Sequence, residues 1–287
     1  MRLHPLTVAI ISTLLLGGAK LALALITGSR AILASAADSL GDAVVSGVNL
    51  LMVKQAAVPP DEGHPWGHGK AEALASLTQA VLLGGVVAGV AWTAVRTLMA
   101  PTGAAPDTTV GMIGMLVAMV GSFGISTFLA RAAKRTGSLV LAADAVHYRM
   151  DLFTGAAVVL GLGATWLTGR AEADAVASIV VSGLMVKEVW GLAREAIDEL
   201  MDRPLPQEEV EKLEAALRTF GEPVRSWHDL RTRRSGPRRF VQVHVALPSD
   251  LSFAAAHATT HSVEEHLKTV LPLVDVIAHA DLDGEPE

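Results

Sequence analysis

Residues 30–54 read RAILASAADSLGDAVVSGVNLLMVK, an apolar run between two cations with Asp38 and Asp42 inside it. Its length suits a helix crossing a bilayer core of roughly 30 Å. Both carboxylates lie more than a turn from the charged end at Arg30. A bare carboxylate at that depth costs several kcal/mol, so it persists where it is paired or where it binds something. The i, i+4 spacing stacks both on one helix face, and His147 with Asp151 repeats that spacing in a second apolar stretch at 138–167. Two such helices facing each other present four N and O ligands to one point. That set matches the tetrahedral preference of zinc, and a dication offsets most of the carboxylates' charge in a low-dielectric interior. The competing reading is a structural polar network, because intramembrane Asp and Asn residues often hydrogen-bond between helices, and Asp144, Asp174 and Asn49 suit that role. Arg149 lies between His147 and Asp151 but points off their face; it is expected to pair with Asp144 or to reach a water-filled entry.

Working outward, just over half of the residues are apolar, and they crowd into the first two thirds of the chain. That asymmetry reads as membrane. Candidate spans fall at roughly 5–27, 31–54, 70–99, 108–132, 138–167 and 173–193. The first run continues to Ile26 without a persuasive cleavage site and reads as a retained span. With the N-terminus inside, Arg2, Lys54, Lys70, Arg131, Lys134 and Arg135 are cytoplasmic, against Arg30, Arg96 and Arg170 in the opposite loops. The positive-inside rule favours that orientation, and an even number of spans returns the tail to the cytosol. The transmembrane domain is therefore expected over 1–203 and a soluble domain over 204–287.

From Pro204 onward there are nine Lys or Arg and fourteen Asp or Glu, so the tail is mildly acidic and is not a nucleic-acid binder by charge. It reads as helix 206–220, strand 224–232, strand 238–247, helix 252–270 and strand 273–280, an αββαβ domain. In the second strand Val241, Val243, Val245 and Leu247 share one face, and Phe240, Gln242 and His244 share the other. The chain has no Cys, so any metal is held by His, Asp or Glu.

Four segments together resemble motifs of the cation diffusion facilitator family, particularly its bacterial zinc and iron efflux members: DSLGD (38–42), DEGHPWGHGKAE (61–72), HYRMD (147–151) and HDLRTR (228–233). The resemblance runs nearly end to end. It implies six transmembrane helices with a metallochaperone-like αββαβ domain, and a transport site at Asp38, Asp42, His147 and Asp151, the same four residues that the paired spacing brings together. It further implies a loop site at Asp61, His64 and His68, with Glu62 as a substitute for Asp61. A cytosolic site for two metals would use His228, His244, His257, His279 and Asp281, with His261 one turn beyond His257 as an alternative. His279 and Asp281, at i and i+2 on a strand, share a face and can chelate together. The same resemblance implies a homodimer with a charge interlock between protomers at Lys70 and Asp202. Family members carry a smaller uncharged residue at the position of Arg149. Read alone, the loop histidines are solvated residues and Lys70 with Asp202 are two surface charges.

No phosphate-binding GxxxxGK[ST] loop is present, which argues against ATP as the driving force and leaves an ion gradient. His and carboxylates lose protons to bind metal, so a site open alternately to each side exchanges protons for metal. The resemblance implies proton-coupled antiport outward across the inner (plasma) membrane. An intramembrane metalloenzyme is a rival, but HExxH and GxSxG are missing, so the chain does not read as an enzyme. A non-transporting, membrane-anchored metal sensor or assembly scaffold is a second rival. Donor chemistry ranks Zn2+ first and Fe2+ second, keeps Cd2+ and Mn2+, disfavours copper(I), and calls for no organic cofactor.

Overall fold

The computed structural model describes residues 4–27, 30–99, 109–168 and 172–284; the side chains of Asp38, Asp174 and Arg170 lie outside that description. The described chain forms two compact units. One comprises 1–59 with 71–197, and the other comprises 60–70 with 198–287.

The first unit contains α1 (Pro5–Thr27), α2 (Arg30–Ala56), α3 (Ala71–Met99), α4 (Thr109–Thr136), α5 (Leu139–Thr168) and α6 (Glu172–Leu200), the last running into the second unit. Ala71–Arg96 and Ala175–Leu200 are the two stretches among the described residues that are long and apolar enough, by composition, to cross a membrane. The spans read from hydropathy stop too early at the basic and acidic ends. In α6 the apolar run fades near residue 193, yet Leu192, Ala196 and Glu199 recur at helical spacing and are buried, so the helix continues to Leu200.

Helix α2 turns polarity inward. Ser39, Ala43, Ser46 and Asn49 are buried along one stripe, while Val44, Val48 and Leu51 stand exposed on the opposite side. That arrangement suits a lipid surround, where close packing favours small residues and polar side chains find partners between helices. Asp144 on α5 is fully buried, and its two carboxylate oxygens accept from Ser46 Oγ at 2.8 Å and Asn49 Nδ2 at 3.1 Å. Asn49 also donates to Gln79 Oε1 at 2.9 Å, and Gln79 donates to the carbonyl of Ala143 at 3.1 Å. Tyr148 lies 2.8 Å from Thr13 and 3.3 Å from Ser46. Asp144 and Asn49 are thus the interhelical network residues that the competing reading described, and they tie α5 to α2 and α3.

The second unit contains α7 (Gln207–Thr219), β1 (Ser226–Ser235), β2 (Arg238–Leu247), α8 (Phe253–Lys268) and β3 (Val274–Leu282), so the αββαβ order holds. β2 is central, antiparallel to β1 and parallel to β3. Val241, Val243 and Val245 are buried against Leu213 and Leu217 of α7 and Val263 and Leu267 of α8, which is the alternation expected for β2. β1 extends beyond the expected end into the charged run Arg233–Ser235. Pairing with Arg238–Phe240 holds it there, and Gly236, at φ +57°, makes the tight turn.

Pro60–Lys70, although inserted between α2 and α3, belongs to this second unit. Phe240 lies on the sheet face away from the helices and is nevertheless buried, because Trp66 packs edge-on to its ring at 5.6 Å. The Arg233 guanidinium lies 5.0 Å from the Trp66 ring and 4.6 Å from the Phe240 ring. A Cβ at Gly69 would fall 2.3 Å from the Ser235 carbonyl oxygen, so glycine is required for this approach.

Candidate metal centres

On α2 and α5 the sequence-derived pairs meet. His147 Nε2 lies 2.8 Å from Asp42 Oδ1, and one donor atom each from Asp42, His147 and Asp151 falls within 4.8 Å of the others. Asp38 is one turn before Asp42 on the same helix, but its side chain is outside the described residues. All three described donors are only partly exposed. A tetrahedral zinc site with bonds of about 2.0 Å separates donors by about 3.3 Å, so this cluster needs small side-chain movements to close on an ion. Arg149 does not pair with Asp144. Its Nη1 donates to Glu188 Oε2 on α6 at 2.6 Å, because Asp144 is already satisfied by Ser46 and Asn49.

In the loop, Asp61 Oδ1 accepts the His64 backbone N–H at 2.7 Å, Asp61 Oδ2 lies 3.4 Å from His68 Nε2, and the two imidazoles are 4.4 Å apart. The amide bond from His64, with the neighbouring imidazoles, holds the Asp61 carboxyl below its ordinary range, so it is ready to bind a cation. His68 is nine-tenths buried and its Nδ1 has no hydrogen-bond partner among the described residues. A cation is one partner that such an orphaned nitrogen accepts. Three donors within 4.8 Å of one another therefore fit a metal here as well.

The sheet builds the third cluster by register. His228, His244 and His279 are Cα partners across β1, β2 and β3, and Ala246 pairs with Asp281 on the next hydrogen-bonded step. One rung thus carries three imidazoles, with ring centroids 5.4 Å and 4.9 Å apart. Asp281 is the hub. Its Oδ2 lies 2.8 Å from His244 Nδ1 and 3.1 Å from His228 Nε2, and its Oδ1 lies 3.2 Å from His279 Nε2. Burial pushes the Asp281 carboxyl upward, but the hydrogen bond from His244 and the three imidazoles outweigh it and hold the group below its ordinary range. His257 is not brought into this rung. It is exposed on α8, with its ring stacked 6.4 Å from Phe253, and His261 faces Glu264 at 3.6 Å. A residue missed in the sequence stands next to the cluster: Asp229, at φ +49° in the bulge between His228 and Arg231, places Oδ2 3.9 Å from His244 Nε2.

Lys70 Nζ lies 3.0 Å from Asp202 Oδ1 within one chain, and both residues belong to the second unit. Arg233 Nη1 reaches the same oxygen at 3.3 Å. Burial raises the Asp202 carboxyl, but the two cations prevail and keep it below its usual range.

Two known domains match the chain in succession. Residues 6–201 match the cation efflux transmembrane domain, and residues 205–282 match the cytoplasmic domain of cation efflux proteins. The cation-efflux pump FieF of Shigella flexneri is 36% identical over 255 residues, covering 89% of this chain and 84% of that protein. FieF of Escherichia coli K12 is likewise 36% identical over 255 residues, with the same coverage. Among solved structures, the zinc form of the transporter CzrB is 33% identical, covers 30% of this chain and 98% of that one, and gives a TM-score of 0.29.

Proposed function

We propose, given that this chain belongs to the cation efflux family of membrane transporters, that it exports divalent transition-metal cations from the cytoplasm in exchange for protons, with Zn2+ as the first substrate and Fe2+, Cd2+ and Mn2+ as further ones. The observation that carries the reading is the 2.8 Å contact between His147 and Asp42 on facing helices, with an Asp151 oxygen in the same cluster. Two donors at that separation share a proton. An ion bound between them needs about 3.3 Å, so metal entry parts the pair and releases the proton. Asp38 completes the set of four. A carboxylate-rich site with one imidazole accepts borderline and hard dications and offers nothing to copper(I).

The transport region spans 1–203 with six crossings, both termini cytoplasmic, in the inner membrane. Residues 204–287 form the metal-binding and dimerising domain of a homodimer. His228, His244, His279 and Asp281 form its regulatory site, with Asp61, His64 and His68 as a loop site. The distinguishing experiment is metal flux into proteoliposomes with the membrane potential clamped and a pH gradient imposed. Flux of Zn2+ that follows the gradient and moves protons the opposite way is expected. Flux indifferent to the gradient removes the antiport, and absence of flux for every ion returns the sensor or scaffold reading.

A further inference from the structure

Arg149 is two residues from both His147 and Asp151, which on an α-helix places it about 160° around the axis from either. It therefore lies on the back of α5 when the ligands face α2. There its guanidinium meets Glu188 of α6 at 2.6 Å, with both groups about two thirds buried. The surrounding contact between these helices is apolar: Ala143, Met150 and Ala157 of α5 share a core with Val181 and Met185 of α6. Apolar surfaces tolerate sliding and rotation, whereas an ion pair in a low-dielectric setting has one favoured geometry and is costly to break.

We propose that Arg149 and Glu188 are positioning residues for the transport site, fixing the rotation of α5 that turns His147 and Asp151 toward Asp42. The lever is large. Donor atoms stand about 6 Å from the helix axis, so a rotation of about 20° moves them by about 2 Å, as far as a whole metal–donor bond. The pair acts on the site through the rotation of α5. This inference rests on the assignment of Asp42, His147 and Asp151 as the transport site.

The test is zinc transport by the full-length protein in liposomes, resolved into KM and maximal rate. Glu188→Gln raises the KM for Zn2+ by on the order of tenfold, the usual effect of losing a group that orients metal ligands, while the maximal rate changes much less. The swap of Arg149→Glu with Glu188→Arg restores the KM. An unchanged KM in Glu188→Gln, or a swapped protein as impaired as the single variant, overturns the proposal. If the single variant does not fold, the chain's lack of Cys permits a second measurement. Arg149→Cys with Glu188→Cys, joined by a short thiol-specific linker, regains zinc affinity when linked and loses it when the linker is cleaved; equal affinity in both states overturns the proposal. Asp42→Ala serves as the control. Undiminished flux in that variant removes the site assignment itself, whereas lost flux there with an unaffected Glu188→Gln removes only the positioning role.

Discussion

Lys70 and Asp202, 132 positions apart in the chain, meet at 3.0 Å within a single protomer, and Arg233 approaches the same carboxylate oxygen at 3.3 Å. Both partners of the ion pair are more than a third exposed, so it contributes at most about 1 kcal/mol. Lys70→Glu is expected to lower the melting midpoint by a few degrees without dissociating the protein. Asp202 has φ +56°, a conformation that Asn tolerates and Lys does not, so the informative second change is Asp202→Asn. The double variant recovers part of the loss; strictly additive destabilisation in melting curves shows that the residues do not interact.

Asp42→Ala removes the oxygen that His147 contacts and one of three clustered donors. Zinc flux falls to the background of empty liposomes, while size-exclusion profiles in detergent stay those of wild type. The stability cost is about 1–3 kcal/mol, for a partly buried imidazole left without its partner. Wild-type flux contradicts the transport site.

Asp281 touches three imidazoles, so its loss dismantles the rung cluster more completely than loss of any one of them. Saturating zinc at about 100 times its Kd stabilises a single site by about 2.7 kcal/mol. Asp281→Ala should abolish the part of the zinc-induced melting shift that belongs to the C-terminal domain, and His257→Ala should leave it in place. Equal losses in the two variants would place His257 in the site after all.

Arg239 grips Glu209 with two hydrogen bonds of 2.8 and 2.7 Å, and this pairing holds the Glu209 carboxyl below its ordinary range. A depressed carboxyl stabilises the fold fully above the unfolded value and loses that contribution as pH falls through the folded one. Stability of the C-terminal domain is thus expected to drop below about pH 4.5, and Glu209→Gln flattens that limb while lowering stability at pH 7 by about 1–3 kcal/mol. Melting curves followed by Trp fluorescence between pH 3 and 7 measure both effects. Parallel acid limbs in the two proteins refute the linkage.

The residues proposed to carry transport were legible because ionisable groups in apolar runs are conspicuous, and their i, i+4 spacing survives any tilt of the helices. The αββαβ order was legible for a similar reason, since the period-two pattern at Val241–Leu247 differs plainly from that of the helices on either side. The rung of His228, His244 and His279 was not derivable from pattern alone. It depends on a bulge at Asp229 and on a parallel pairing formed through α8, neither of which periodicity encodes. The partner of Arg149 had left a signal: Glu188 stands beside Lys187 within the sixth apolar stretch and is itself a charge requiring explanation. Trp66 gave none, because the groups that cover it, Arg233 and Phe240, lie far along the chain.

The seating of Pro60–Lys70 on the β1–β2 hairpin makes the C-terminal domain a discontinuous one, completed by eleven residues borrowed from between two helices. A fragment cut at residue 204 would fold its sheet and helices around an intact core, yet it would lack Trp66, uncover Phe240 and leave Asp202 and Lys70 behind with the other piece. Conversely, a truncated transporter would present the Pro60–Lys70 loop without the hairpin that Trp66 packs against. A chimera spliced at that single point is therefore expected to lose the Trp66–Phe240 and Lys70–Asp202 contacts of its parents. A chimera that carries the loop and the tail together is expected to keep both, although about 130 residues of chain separate the two donor segments.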